Sequence, residues 1–177
     1  MKKVIFINTI ITFALCFLTH FLYDWFPNPI FSIFFPVNES IWEHMKMIYT
    51  TILLYGFIEH FILKKFNINY NNYFLNIFLK SVLAIPIYLI LYLPLYHFIG
   101  ENFILNITIL FISILIVNLI GIKILNLKQI HLQKEISVFL IIMCYIIMGI
   151  LTYFPIKTEL FYDMKEEKYG INHYIKK

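Results

Sequence analysis

Five apolar runs, each close to twenty residues or longer, leave this chain few ways to fold. They extend over about Val4 to Tyr23, Asn38 to Leu63, Phe74 to His97, Phe103 to Leu125 and Ile136 to Phe154. About 20 apolar residues in an α-helix match the hydrocarbon thickness of a bilayer. Within lipid the backbone must satisfy its own hydrogen bonds, which a helix does and an open strand does not. A soluble core is the competing solution, and composition argues against it. The 177 residues are 61% hydrophobic and 14% charged, with a mean hydropathy of +0.80, whereas a soluble domain is nearer a quarter charged. The expected fold is all-α, an integral membrane bundle of about five transmembrane helices. Residues 1–155 form the bundle and 156–177 a polar carboxyl-terminal tail.

Lys2-Lys3 followed by an apolar run suggests a cleavable leader. The run is long enough to span, however, and no small-x-small site follows it, so it reads as a retained first span. Asn8, Thr12, Cys16, Thr19 and Tyr23 recur on one side of that helix. Such a small and polar stripe belongs against other helices. Cys16 and Cys144 lie within apolar runs, without metal-ligand spacing or a disulfide framework, and read as small packing residues.

All 14 basic residues are lysines, and the net charge is +4. The lysines gather at the ends of the runs and make no continuous stripe, so nucleic acid is not expected as a partner. The lipid bilayer is, and a protein partner or oligomer is left open. In a five-span topology Lys2, Lys3, Lys64, Lys65, Lys80, Lys123, Lys128 and Lys134 fall on the amino-terminal side. The expectation is a multi-pass protein of a bacterial cell membrane, amino terminus cytoplasmic and carboxyl terminus outside. Lys157, Lys165, Lys168, Lys176 and Lys177 in the tail run against that bias.

Between the first two spans lies a connector with Pro27, Pro29 and Pro36. Three prolines forbid one continuous helix there. Its apolar part, Ile30 to Phe35, belongs in the headgroup interface or tucked against the bundle. Pro86 and Pro94 in the third span are candidate kinks.

The polar groups are not scattered. Asn38, Glu39, Ser40, Trp42, Glu43, His44 and Lys46 crowd the start of the second span. The outer ends of the spans also collect His20 and Asp24, then His97 and Glu101, with Asp163 in the tail. Ionisable residues of membrane proteins usually face the bundle interior or a water-filled cavity. Carboxylates and imidazoles together suit zinc or a similar divalent ion. Glu39, Glu43 and His44 are the candidate metal ligands and catalytic groups. Asn38, Ser40, Trp42, Lys46 and Asp163 are the candidate binding residues. On a helix beginning at Asn38, Glu39, Glu43, Lys46 and Thr50 share one face. Ser40, His44, Thr51 and Tyr55 share the next, with Glu59 further round. The plainer reading is a helix start: Ser40 and Glu43 have the spacing of a capping box, Asn38 can cap instead, and Trp42 can anchor at the interface. Glu59-His60 beside Lys64-Lys65 reads as a salt bridge at the inner face, and Tyr88, Tyr92 and Tyr96 as helix packing.

The run Pro36 to Lys46, with His20-Phe21-Leu22-Tyr23 before it and Glu59-His60-Phe61-Ile62-Leu63 after, resembles a family of small bacterial membrane proteins of unknown function. Pro155, Leu160-Phe161, Asp163 and Tyr169-Gly170-Ile171 resemble that family's carboxyl end. The resemblance covers nearly the whole chain. Its N-E-S-x-W-E-H core is the specific part, and it implies no substrate. Three functional classes are therefore carried forward. They are a metal-dependent membrane hydrolase or transferase acting on lipid, peptide or glycan, a small-molecule or lipid binding or transport module, and a non-catalytic structural or partner-binding subunit.

Overall fold

The computed structural model describes residues 2–68, 70–100 and 102–171. Among them are α1 (Lys2–Trp25), α2 (Pro29–Phe34), α3 (Ile41–Lys65), α4 (Tyr73–Ile99), α5 (Phe103–Leu125) and α6 (Gln133–Tyr153). A 3₁₀ turn at Glu159–Phe161 and a two-stranded hairpin, β1 (Tyr162–Asp163) with β2 (Lys168–Tyr169), follow. All but α2 are long and apolar enough to cross a membrane, as the sequence predicts. The α1–α3 connector and residues 156–171 share one end of the bundle, the rim.

The stripe on α1 faces inwards: Thr12, Cys16, Thr19 and Tyr23 are buried. The Thr19 and Thr51 hydroxyls meet at 2.6 Å, and Tyr55 donates to Asn8 Oδ1 at 2.8 Å, so the α3 face from Thr51 to Tyr55 packs on α1. Interhelical hydrogen bonds of this kind average only about 0.6 kcal/mol in membranes. They fix helix register more than they add stability. Glu59 accepts from Asn8 Nδ2 (2.7 Å) and Tyr73 OH (2.9 Å). That replaces the expected salt bridge with Lys64 or Lys65: no such pair occurs among the described residues.

Lys80 also departs from its expected place at the interface. It lies in the third turn of α4, buried, and donates to Asn118 Oδ1 at 3.2 Å; Asn118 in turn donates to Thr9. Gly121 of α5 permits this, since a Cβ there would lie 2.8 Å from the Lys80 side chain and 2.7 Å from Asn76 Oδ1. α4 continues through both Pro86 and Pro94.

The connector does tuck back. Asn28 caps α2 by accepting from Ile30 N and Phe31 N, and Pro29 occupies the first turn, where its missing N–H costs nothing. Ser32 is buried and shares a 2.8 Å hydrogen bond with Tyr153 of α6. The tail returns over the same end: Ile171 N donates to Thr152 O, and Phe161 stacks on Trp42 with ring centroids 4.8 Å apart. Gly170 makes the return possible. Its φ is +60°, and a Cβ there would lie 2.6 Å from the Thr152 carbonyl.

Candidate metal centre at the rim

The second span begins later than the sequence suggests, and the difference rearranges the site. Ser40 is the N-cap and α3 starts at Ile41. Ser40 Oγ accepts from Glu43 N at 3.4 Å, but Glu43 does not complete the capping box. Its carboxylate accepts from Val37 N (3.1 Å), and Ser40 N donates instead to Asn38 Oδ1 (2.9 Å). Glu39 therefore precedes the helix, and the 100° rule that placed it beside Glu43 does not apply to it.

Two sites result from one run. Glu43 points into the protein, 1% exposed, and its carboxylate meets Lys46 Nζ at 2.5 Å. Lys46 is wholly buried and also donates to Ser32 O (2.7 Å) and Thr152 Oγ1 (2.9 Å). Thr152 Oγ1 in turn lies 3.3 Å from Glu43 Oε1. The pair thus ties α3 to α2 and α6.

Glu39 turns the other way. Its Oε2 lies 3.7 Å from His20 Nε2 and 3.7 Å from His44 Nε2. One ligand atom from each of His20, Glu39 and His44 falls within 4.8 Å of the others; Glu43 is not in this group. A tetrahedral zinc shell with bonds of about 2.0–2.1 Å sets its ligand atoms about 3.3 Å apart. The two distances from Glu39 Oε2, 3.7 Å each, lie close to that spacing. His44 is already oriented: its Nδ1 lies 2.9 Å from Ser40 O. A carbonyl oxygen can only accept, so Nδ1 carries a proton and Nε2 is the ring nitrogen directed at Glu39. This is the outer-shell arrangement that commonly fixes a metal-ligating imidazole. Proton donation and positive charge from the imidazoles, His20 foremost, hold the Glu39 carboxyl down to about 2 in the metal-free protein, against the opposing effect of partial burial. Glu39 is therefore an anion at any ordinary pH.

The loop that presents Glu39 is held by the tail. Asp163, wholly buried, accepts from Glu39 N at 2.9 Å through one oxygen and from Lys165 N and Glu166 N through the other. Asn38 Nδ2 donates to Gly170 O at 2.9 Å. Asp163 and Asn38 thus hold backbone, and Trp42 holds Phe161. Asp24 and His97 are exposed and do not join the group, while Glu101 lies outside the described residues.

His20 is the member that sequence reasoning undervalued. Its place near the end of the first span marks it, but a lone imidazole there reads equally well as an interfacial hydrogen-bonding group. A cavity at this face was legible only as a general expectation for gathered ionisable residues, and its walls were not. About 320 Å³ in volume, it lies between α1, α3, α4 and α5, with the three candidate ligands on its wall. Tyr88 and Tyr92, stacked at 5.3 Å, form part of the lining. Asn106 also lines it, and its Oδ1 has no hydrogen-bond partner among the described residues.

Five apolar spanning helices around a walled polar group define a multi-pass helical membrane protein. A family model described as Family of unknown function (DUF6512) matches residues 1–171, and the chain belongs to that family. No curated protein and no solved structure matches it.

Proposed function

We propose that His20, Glu39 and His44 hold a divalent ion of the zinc class, and that the protein is a membrane hydrolase or transferase working at this rim. The observation that carries the reading is the gathering of two imidazoles and one carboxylate within 4.8 Å on a cavity wall. Three protein ligands with a fourth position open to solvent or substrate is the pattern of catalytic zinc. In that role the ion polarises a carbonyl or phosphoryl oxygen and activates a water. Glu43, the catalytic candidate nearest in sequence, serves instead with Lys46 as the internal brace. A bacterial cell membrane, a cytoplasmic amino terminus and a rim facing outside complete the proposal; the lysine bias in the connections at the far end of the bundle supports the orientation.

Elemental analysis of purified protein tests it. One ion per chain is expected, lost in Glu39→Ala and His44→Ala variants that still fold. Equal metal content in wild type and variants would remove the centre. A non-catalytic binding module is the second reading, favoured by the apolar lining of much of the cavity. It predicts ligand retention that does not depend on the ion.

A further inference from the structure

The cavity's shape narrows the substrate class that the sequence leaves open among lipid, peptide and glycan. We infer that it takes a membrane lipid, admitted sideways from the bilayer between α1 and α5, with its headgroup at His20, Glu39 and His44. The inference deepens the proposed metal-centre reading and rests on it for the headgroup's place.

Farther from the rim, α1 and α5 are in contact. Asn118 Nδ2 donates to Thr9 at 3.1 Å, and Phe13 meets Phe111 edge-on at 5.3 Å. One turn nearer the rim, Phe17 and Phe21 of α1 and Phe103 and Ile107 of α5 line the cavity instead. Phe17, Phe21 and Phe103 are 42%, 45% and 73% exposed. In a spanning bundle that exposure is to lipid, so the walls of the opening match the acyl region outside it. A peptide or glycan would have to bring unpaired polar groups past these rings, which is costly in hydrocarbon. An acyl chain brings none.

Depth and polarity agree. The cavity follows α5 from Phe103 to Leu110, about 10 Å at 1.5 Å per residue. The polar groups occupy the rim part, where headgroups lie. Below them Cys16, Ile48 and Leu110 offer a surface for methylenes. A dication with one carboxylate and two neutral imidazoles carries a net positive charge, which suits an anionic headgroup such as a phosphate ester. Asn106 Oδ1, an acceptor without a partner among the described residues, is available to a headgroup hydroxyl.

The test uses the full chain in phosphatidylethanolamine vesicles doped with phosphatidylglycerol that bears a photoactivatable diazirine on its acyl chain. Crosslinked peptides are mapped by mass spectrometry and bound metal is measured on the same samples. Label is expected on the segments around Cys16, Ile48 and Leu110. Leu110→Trp, which fills the cavity, and Ile107→Trp, at its opening, should each lower that label about tenfold or more, the effect expected when a packed space is overfilled. Label on the outward face of α6, around Phe139 and Ile146, should stay unchanged. Label confined to outward faces, or cavity label indifferent to both substitutions, overturns the inference. Should neither variant fold, the presence or absence of cavity label in the wild type decides. Metal bound without cavity label removes the lipid and keeps the metal centre. Cavity label without bound metal removes the centre and keeps lipid admission.

Discussion

Glu39 and Glu43 are the same side chain, four residues apart in one run, and the protein treats them oppositely. Glu43 is enclosed and satisfied by a lysine, a backbone amide and a threonine from another helix. Glu39 is partly exposed on a cavity wall, beside two imidazoles that it does not reach at hydrogen-bond distance. A buried charge must be fully partnered to be tolerated. A charge at a working site must keep some of its coordination open. The difference between these two acids is therefore the difference between a brace and a candidate site, and it follows from which side of the helix start each one occupies.

Breaking the brace should have the largest effect. Lys46→Met leaves Glu43 buried without its cation, and removing one member of a buried pair typically costs about 3–5 kcal/mol. Lys46→Met combined with Glu43→Gln should recover most of that loss, because no unpaired charge remains. Unfolding of the reconstituted protein measures both. If the double variant is no more stable than the single one, the pair is not a closed unit and the contrast with Glu39 weakens.

The tail supplies the next effect. Asp163→Asn turns one of two accepting oxygens into a donor, so either Glu39 N or the Lys165 and Glu166 amides lose their partner. Leaving a buried donor unsatisfied costs about 1–3 kcal/mol. Because Asp163 holds the Glu39 backbone, metal affinity should also fall about 10- to 100-fold, as for other outer-shell partners. Gly170→Ala should cost a comparable amount of stability through its positive φ and the clash with Thr152 O. It should weaken metal binding too, since Asn38 is tied to Gly170 O. Titration with zinc in folded variants checks both. Stability lost without any change in affinity would separate the tail from the site.

The spans were legible because periodicity and length depend on the chain locally. The stripe from Thr12 to Tyr23 named the buried face of α1, and the apolar part of the connector could be narrowed to the headgroup interface or the bundle surface. What could not be read was anything decided by one or two residues of helix boundary. Ser40 and Asn38 competed as caps. With Ser40 as cap, Glu39 leaves the helix, so the predicted trio of Glu39, Glu43 and His44 divides and His20 takes the third place. Asp163 carried only the weak signal of resemblance at the carboxyl end. Its role depends on a chain reversal that Gly170 permits and that no local pattern announces. Lys80 was misplaced for a related reason. A lysine near a helix start reads as interfacial unless the asparagine that receives it, 38 residues on, is known to face it.

The smallest effect sharpens the contrast from the side of Glu39. In metal-free protein, Glu39→Gln removes a carboxylate that is partly exposed, so the stability change at neutral pH should be well below that of Lys46→Met. Its pH dependence identifies the cause. The folded carboxyl is held down to about 2, below the ordinary glutamate range of the unfolded chain. The ionised group therefore stabilises the fold above that ordinary range, and the contribution is lost as pH falls through it towards 2. Wild type and Glu39→Gln should differ at neutral pH and converge on acidification. A difference that stays constant down to the lowest accessible pH would mean that the imidazoles do not hold Glu39 as an anion. The group would then be a packing contact, with no more claim to a metal ion than Glu43 has.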